Sequence, residues 1–124
     1  MPELPEVQTV VNHIRPTCVG KRLKRIQPVW GKVLHNFKEE DVNLILKRPK
    51  VIDVYRRAKF IIISFKNHII AIHLRMTGKL NITNEHFRSK HITAVLEFED
   101  DYSIYFEDVR KFGRIYLYND LNVI

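Results

Sequence analysis

The amino-acid sequence predicts a mainly β protein with flanking helices: a two-layer antiparallel β-sandwich, with an N-terminal helix in front of it. Three observations lead there. Short runs rich in β-branched and aromatic residues recur between residues 22 and 118, as pleated, half-buried strands require. Polar turn residues join several of them, as in Lys66-Asn67-His68 and Glu99-Asp100-Asp101. Helical spacing is confined to two stretches, one near the start and one around Glu39 to Lys47.

In the first stretch Val7, Val10, Val11 and Ile14 recur at i, i+3, i+4 and i+7, which draws one apolar stripe along a helix. Pro5 suits a first turn, where a missing N–H does no harm. Glu3 and Glu6 suit the positive end of the helix dipole. Pro16 and Gly20 are expected to stop the helix. Residues 22–30 read as a basic strand built on Leu23 and Ile26. The second helix would put Val42, Ile45 and Leu46 on one face. It would end at Arg48-Pro49, because a residue before proline is pushed away from helical angles. Strands are then expected over Val51–Tyr55, Phe60–Phe65, Ile69–Leu74, Ile92–Phe98, Tyr102–Phe106 and Ile115–Tyr118. The two helices would cover open ends or edges. The chain closes on Asp120-Leu121-Asn122-Val123-Ile124. That apolar ending fits either a cut inside a longer protein or a docked terminal segment.

At 124 residues the chain has the size of one domain, 1–124, and the composition of a globular one. Lys and Arg number 21 against 14 Asp and Glu, a net charge of +7. A surplus of that size suggests a polyanionic partner, most often nucleic acid; a merely soluble basic domain is the plain alternative. The single cysteine, Cys18, excludes an intrachain disulfide and a four-cysteine zinc site. No run of 18 apolar residues offers a membrane span. The opening Met-Pro-Glu-Leu-Pro-Glu lacks the basic and apolar regions of a signal peptide, so the cytoplasm is the expected location.

Five local patterns carry more than composition. They are Pro2-Glu3-Leu4-Pro5-Glu6-Val7, Arg56-Arg57-Ala58-Lys59-Phe60, His73-Leu74-Arg75-Met76-Thr77-Gly78, Lys90-His91 and Asp108-Val109-Arg110-Lys111-Phe112-Gly113. In this order and spacing the chain resembles the N-terminal domain of formamidopyrimidine-DNA glycosylase, a bacterial enzyme that removes oxidised purines such as 8-oxoguanine. Leu4 favours this branch over the endonuclease VIII type, which typically has glycine there.

The chemistry of these residues can be weighed beside the resemblance. Once Met1 is removed, Pro2 is a terminal secondary amine, and such amines titrate near ~8. It can attack a sugar C1′ and form an iminium, an electron sink for strand cleavage. The resemblance gives Pro2 that role; a helix-opening proline is the other reading. Glu3 could protonate the sugar ring oxygen, as the matching family residue does. Glu6 could orient Glu3 or a water; both acids could equally serve only the helix dipole. Lys59 could reach a phosphate or donate a proton, and the resemblance makes it catalytic; an edge-strand charge is the alternative.

An enzyme that acts on a base must take it out of the stack, which leaves a hole. Met76, Arg110 and Phe112 are suitable fillers, and the resemblance assigns them that task; core packing is the alternative for Met76 and Phe112. His91 and Arg110 could contact backbone phosphates, as the resemblance implies; a structural or solvated side chain is the alternative for His91. Arg75 stands where some members have glycine. The partner implied is double-stranded DNA carrying an oxidised purine or an abasic site.

The resemblance also implies missing parts: a helix–two-turn–helix region and a four-cysteine zinc finger, so no cofactor is expected within this chain. Weak duplex binding, little or no glycosylase activity, and self-association through an uncovered face are the corresponding expectations. Two other functions compete with the enzyme reading. One is a non-catalytic basic DNA-binding β module of the same family, and the other a β-sandwich interaction module whose charge is incidental.

Overall fold

The structure is a computed structural model and describes residues 4–37 and 47–119. One helix, α1 (Leu4–Cys18), precedes eight strands. These are β1 (Leu23–Pro28), β2 (Asp53–Arg57), β3 (Phe60–Ser64), β4 (Ile69–His73), β5 (Gly78–Thr83), β6 (Ile92–Phe98), β7 (Ser103–Asp108) and β8 (Arg114–Tyr118). They form two four-stranded antiparallel sheets, ordered β1-β6-β7-β5 and β2-β3-β4-β8. The two-layer sandwich is therefore present. The second helix expected around Glu39 to Lys47 falls, apart from Lys47 itself, outside the described residues, as do Pro2, Glu3 and the closing Asp120 to Ile124.

The α1 stripe behaves as its spacing demands. Val7, Val11, Ile14 and Cys18 are buried in one core with Val54, Ile61 and Ile63. Pro16 does not stop the helix, which continues to Cys18. Burial of Ile14 and Cys18 on either side of it outweighs the one hydrogen bond the proline cannot make. Gly20, at φ 92, then turns the chain in the left-handed conformation that glycine tolerates, and its N–H donates to Val51 O.

One strand was not expected from the pattern. β5 contains only Leu80 and Ile82 as apolar residues and opens on glycine, so it reads as an extension of a turn. It nevertheless pairs with β7 from Gly78↔Asp108 to Thr83↔Ser103. The strand boundaries at β2 and β3 also differ. β2 runs to Arg57, and the chain reverses over Ala58-Lys59 alone, with Ala58 at φ 52. No glycine or asparagine announces that turn.

Two contacts orient α1. Near its end Arg15 Nε lies 2.8 Å from Asp53 Oδ1, at the start of β2. Near its beginning Gln8 Oε1 accepts from Arg56 Nε at 3.4 Å, at the end of β2. The helix thus runs antiparallel to β2, and its first turn lies where β2 turns into β3. The register brings further residues to this same end: Phe60 faces His73, His73 faces Arg114, and Gly78 faces Asp108. The connections Leu74–Thr77 and Val109–Gly113 cross between the sheets there.

Candidate nucleic-acid interface

Both crossing loops carry exposed apolar side chains. Met76 is 48% and Phe112 44% exposed. Between them lies Arg110, whose Nη1 is 3.9 Å from Met76 Sδ and whose guanidinium carbon is 5.0 Å from the Phe112 ring centre. A thioether, a guanidinium plane and an aromatic ring therefore meet in one exposed cluster. Such flat or pliable groups can fill a gap in a base stack. Burial within the core, the alternative for Met76 and Phe112, is not what is observed.

A buried carboxylate supports this cluster. Asp108 is 1% exposed. Its Oδ1 accepts from Thr77 Oγ1 at 2.5 Å and from Arg110 N at 3.1 Å, and its Oδ2 accepts from Gly113 N at 2.7 Å. One acid thus ties the loop bearing Met76 to the loop bearing Phe112. Gly113 has no room for a side chain: a Cβ there would lie 2.4 Å from Phe106 Cζ and 3.0 Å from Asp108 Oδ2. Lys111, at φ 58, and Arg114, which donates to Lys111 O and Gly113 O at 2.9 Å each, complete the turn. Arg114 also stacks on Trp30, at 4.9 Å from the ring centre.

The other loop turns at Arg75, φ 57. This is the conformation in which glycine is free and other residues are strained, which explains why glycine can stand at this position. Arg75 is held there by two bonds. Its N–H donates to His73 Nδ1 at 3.0 Å, and its guanidinium donates to Tyr116 Oη at 3.3 Å. Because Nδ1 accepts, the neutral imidazole carries its proton on Nε2. Burial lowers the His73 pKa below 6.5, and the charges of Arg75 and Lys59 lower it further. His35, Arg75, Met76, Phe112, Arg114 and Tyr116 line a hollow of about 560 Å³ beside the cluster.

Lys59 sits half-buried in the two-residue turn between β2 and β3, close enough to bias His73. Glu6 is exposed in the first turn of α1, at this same end. His91 is half-buried, and its carbonyl accepts from Asp108 N at 2.9 Å, so it flanks the Arg110 loop. Lys59, Glu6, His91, Met76, Arg110 and Phe112 are thus all gathered at one end of the sandwich. Pro2 and Glu3 lie outside the described residues. Sequence reasoning assigned no role to Asp108 or Thr77, although both stand in quoted motifs. A signal was present: Ile104, Phe106 and Asp108 alternate along β7, so the carboxylate continues the inward-facing parity.

Cys18 is buried and its thiol is pushed up to about 12, mainly by burial, so it supplies no reactive thiolate near neutral pH. Among the described residues no three His, Cys, Asp or Glu side chains converge to hold a metal. No helix among them is long and apolar enough to cross a membrane.

The family model described as "Formamidopyrimidine-DNA glycosylase N-terminal domain" matches residues 1–115. A formamidopyrimidine-DNA glycosylase of Mycoplasma genitalium is 36% identical over 124 residues, covering 98% of this chain and 44% of the relative. One from an Exiguobacterium species is 35% identical over 120 residues, covering 94% of this chain and 43% of the relative. Among solved structures, the Lactococcus lactis Fpg in complex with DNA containing an abasic site superposes with a TM-score of 0.86 at 29% identity. That match covers 98% of this chain and 46% of that one. The same enzyme with DNA containing Fapy-dG gives 0.85 at 29% identity, with the same coverage. The chain spans less than half the length of the curated relatives it matches.

Proposed function

Because this chain belongs to the formamidopyrimidine-DNA glycosylase family, matching its N-terminal domain, we propose that it is the nucleophile-bearing half of a base-excision repair glycosylase and abasic-site lyase. The substrate would be double-stranded DNA with an oxidised purine, an 8-oxoguanine or a formamidopyrimidine. Solved relatives hold DNA with an abasic site or with Fapy-dG. The observation that carries the reading is the exposed Met76–Arg110–Phe112 cluster on two loops cross-braced by Asp108.

The chemistry follows from the residue types. With Met1 removed, the Pro2 nitrogen is a free secondary amine; with Met1 attached it is an amide without a basic lone pair. The amine attacks C1′ as the N-glycosidic bond breaks, and the base departs with the bonding electrons. Glu3 protonates the ring oxygen, which opens the sugar and leaves an iminium on Pro2. The iminium acidifies the 2′ hydrogen. Its loss expels the 3′ phosphate, and a second elimination expels the 5′ phosphate. Glu6 orients Glu3 or a water. Lys59 holds a phosphate or supplies a proton. Met76, Arg110 and Phe112 occupy the space of the flipped nucleotide, and His91 and Arg110 grip the backbone.

The single cysteine, Cys18, cannot supply the four-cysteine site of a zinc finger. The proposed setting is the bacterial cytoplasm, at the nucleoid. On its own the chain would bind duplex weakly and show little or no glycosylase activity, because each phosphate contact that is lost lowers affinity.

Borohydride trapping on abasic-site DNA tests the reading. Protein whose intact mass shows loss of Met1 should yield a covalent adduct, and protein retaining Met1 should yield none. A processed chain that forms no adduct on single-stranded or duplex abasic DNA would be a basic DNA-binding module instead.

A further inference from the structure

Met76 sits on one loop, and Arg110 and Phe112 on another, with thirty-odd residues between them in sequence. For a filler built from two loops to enter a stack, the loops must keep one relative position, since a slack loop would pay the ordering entropy on binding. The direct contact between the clusters, Arg110 Nη1 to Met76 Sδ at 3.9 Å, is weak and exposed. The stronger tie lies beneath it. Thr77 Oγ1 donates to buried Asp108 Oδ1 at 2.5 Å and also accepts from Arg110 N at 3.4 Å. Asp108 in turn holds Arg110 N and Gly113 N, on either side of Phe112. Both oxygens of that carboxylate thus bond to the loops, Oδ1 to both of them and Oδ2 to the one bearing Phe112. A hydrogen bond to a buried charged group is stronger than a neutral surface one.

We propose that Thr77 and Asp108 are positioning residues that lock the two loops into a single preformed wedge, so that the filler enters duplex DNA as one body. The proposal rests on the functional reading above. It concerns residues that touch each other rather than the DNA.

Thr77→Val removes the hydroxyl with little change of shape, while Thr77→Ser keeps it. Two measurements on the whole chain separate the outcomes. In amide hydrogen exchange by NMR, without DNA, Thr77→Val should speed exchange at Arg110 and Gly113 by about tenfold, the worth of one such bond, although the substitution lies on the opposite loop. Thr77→Ser should restore protection. In borohydride trapping, Thr77→Val should lower the ratio of adduct on duplex to adduct on single-stranded abasic DNA by about tenfold, because only the duplex needs its gap filled. Unchanged exchange at Arg110 and Gly113, or an unchanged ratio in a parent that traps both DNAs, overturns the proposal. If a parent shown by intact mass to have lost Met1 traps neither DNA, the functional reading fails, and the exchange result alone decides the coupling.

Discussion

His73 shows how one side chain converts burial into a local constraint. Its Nδ1 accepts the Arg75 N–H and so holds Arg75 at φ 57, next to Met76. The Phe60 ring packs edge-on at 5.1 Å, and the charges that act on the imidazole, Arg75 and Lys59, are both cationic. A protonated imidazole cannot accept that bond, and burial already lowers its pKa. A histidine with a lowered folded pKa contributes its full stability above the ordinary value of 6.5, and loses it as pH falls through the lowered value. The unfolding midpoint of the parent should therefore drop between pH 7 and pH 5 more steeply than that of His73→Asn. The asparagine oxygen can accept the same N–H but does not titrate. Parallel slopes for the two proteins would contradict this role. Its motif singles His73 out in the sequence, but the bond to Arg75 depends on what folds around the imidazole.

Strands are legible where an apolar run or a clean alternation of side chains marks them. β3 and β4 are continuous apolar runs buried on consecutive residues, while Ala94, Leu96 and Phe98 of β6 and Ile104 and Phe106 of β7 alternate inward. β5 escaped because its identity depends on close approach rather than on apolar content. A Cβ at Gly78 would lie 2.6 Å from Leu74 O and 2.9 Å from Phe106 Cε1. The glycine lets β5 leave the β4 connection and pack directly on the Phe106 ring. Gly78→Ala should destabilise the chain by about 1–3 kcal/mol, since backbone must shift to admit the methyl group. Denaturant unfolding checks this, and a midpoint equal to the parent's would show that the loop has slack. Pro16 misled in the opposite direction. A local rule about proline predicted a helix end, and tertiary burial of Ile14 and Cys18 carried the helix past it.

For the chain taken together, charge and architecture agree. A surplus of seven positive charges sits on a sandwich that brings Lys59, Arg75, His91, Arg110, Lys111 and Arg114 to one end. Each phosphate neutralised on duplex DNA releases counterions, with a slope of about −0.9 per contact in log K against log salt. Duplex binding by this chain should weaken steeply with salt, yet with a shallower slope than a relative of twice its length shows. Affinity independent of salt would assign the charge to solubility alone. The motifs made this end readable before any fold was known, since they name its exposed residues. They did not disclose what braces it. Asp108 and Thr77 meet across 31 residues of sequence: the parity of β7 marks Asp108 as inward-facing, but nothing local names its partner.

Peptide mapping of the borohydride-reduced adduct bears most directly on the proposed chemistry. The DNA remnant should sit on the N-terminal peptide, attached to the Pro2 nitrogen of chains that have lost Met1. A remnant on Lys59 or another lysine, with Pro2 free and unmodified, would contradict it.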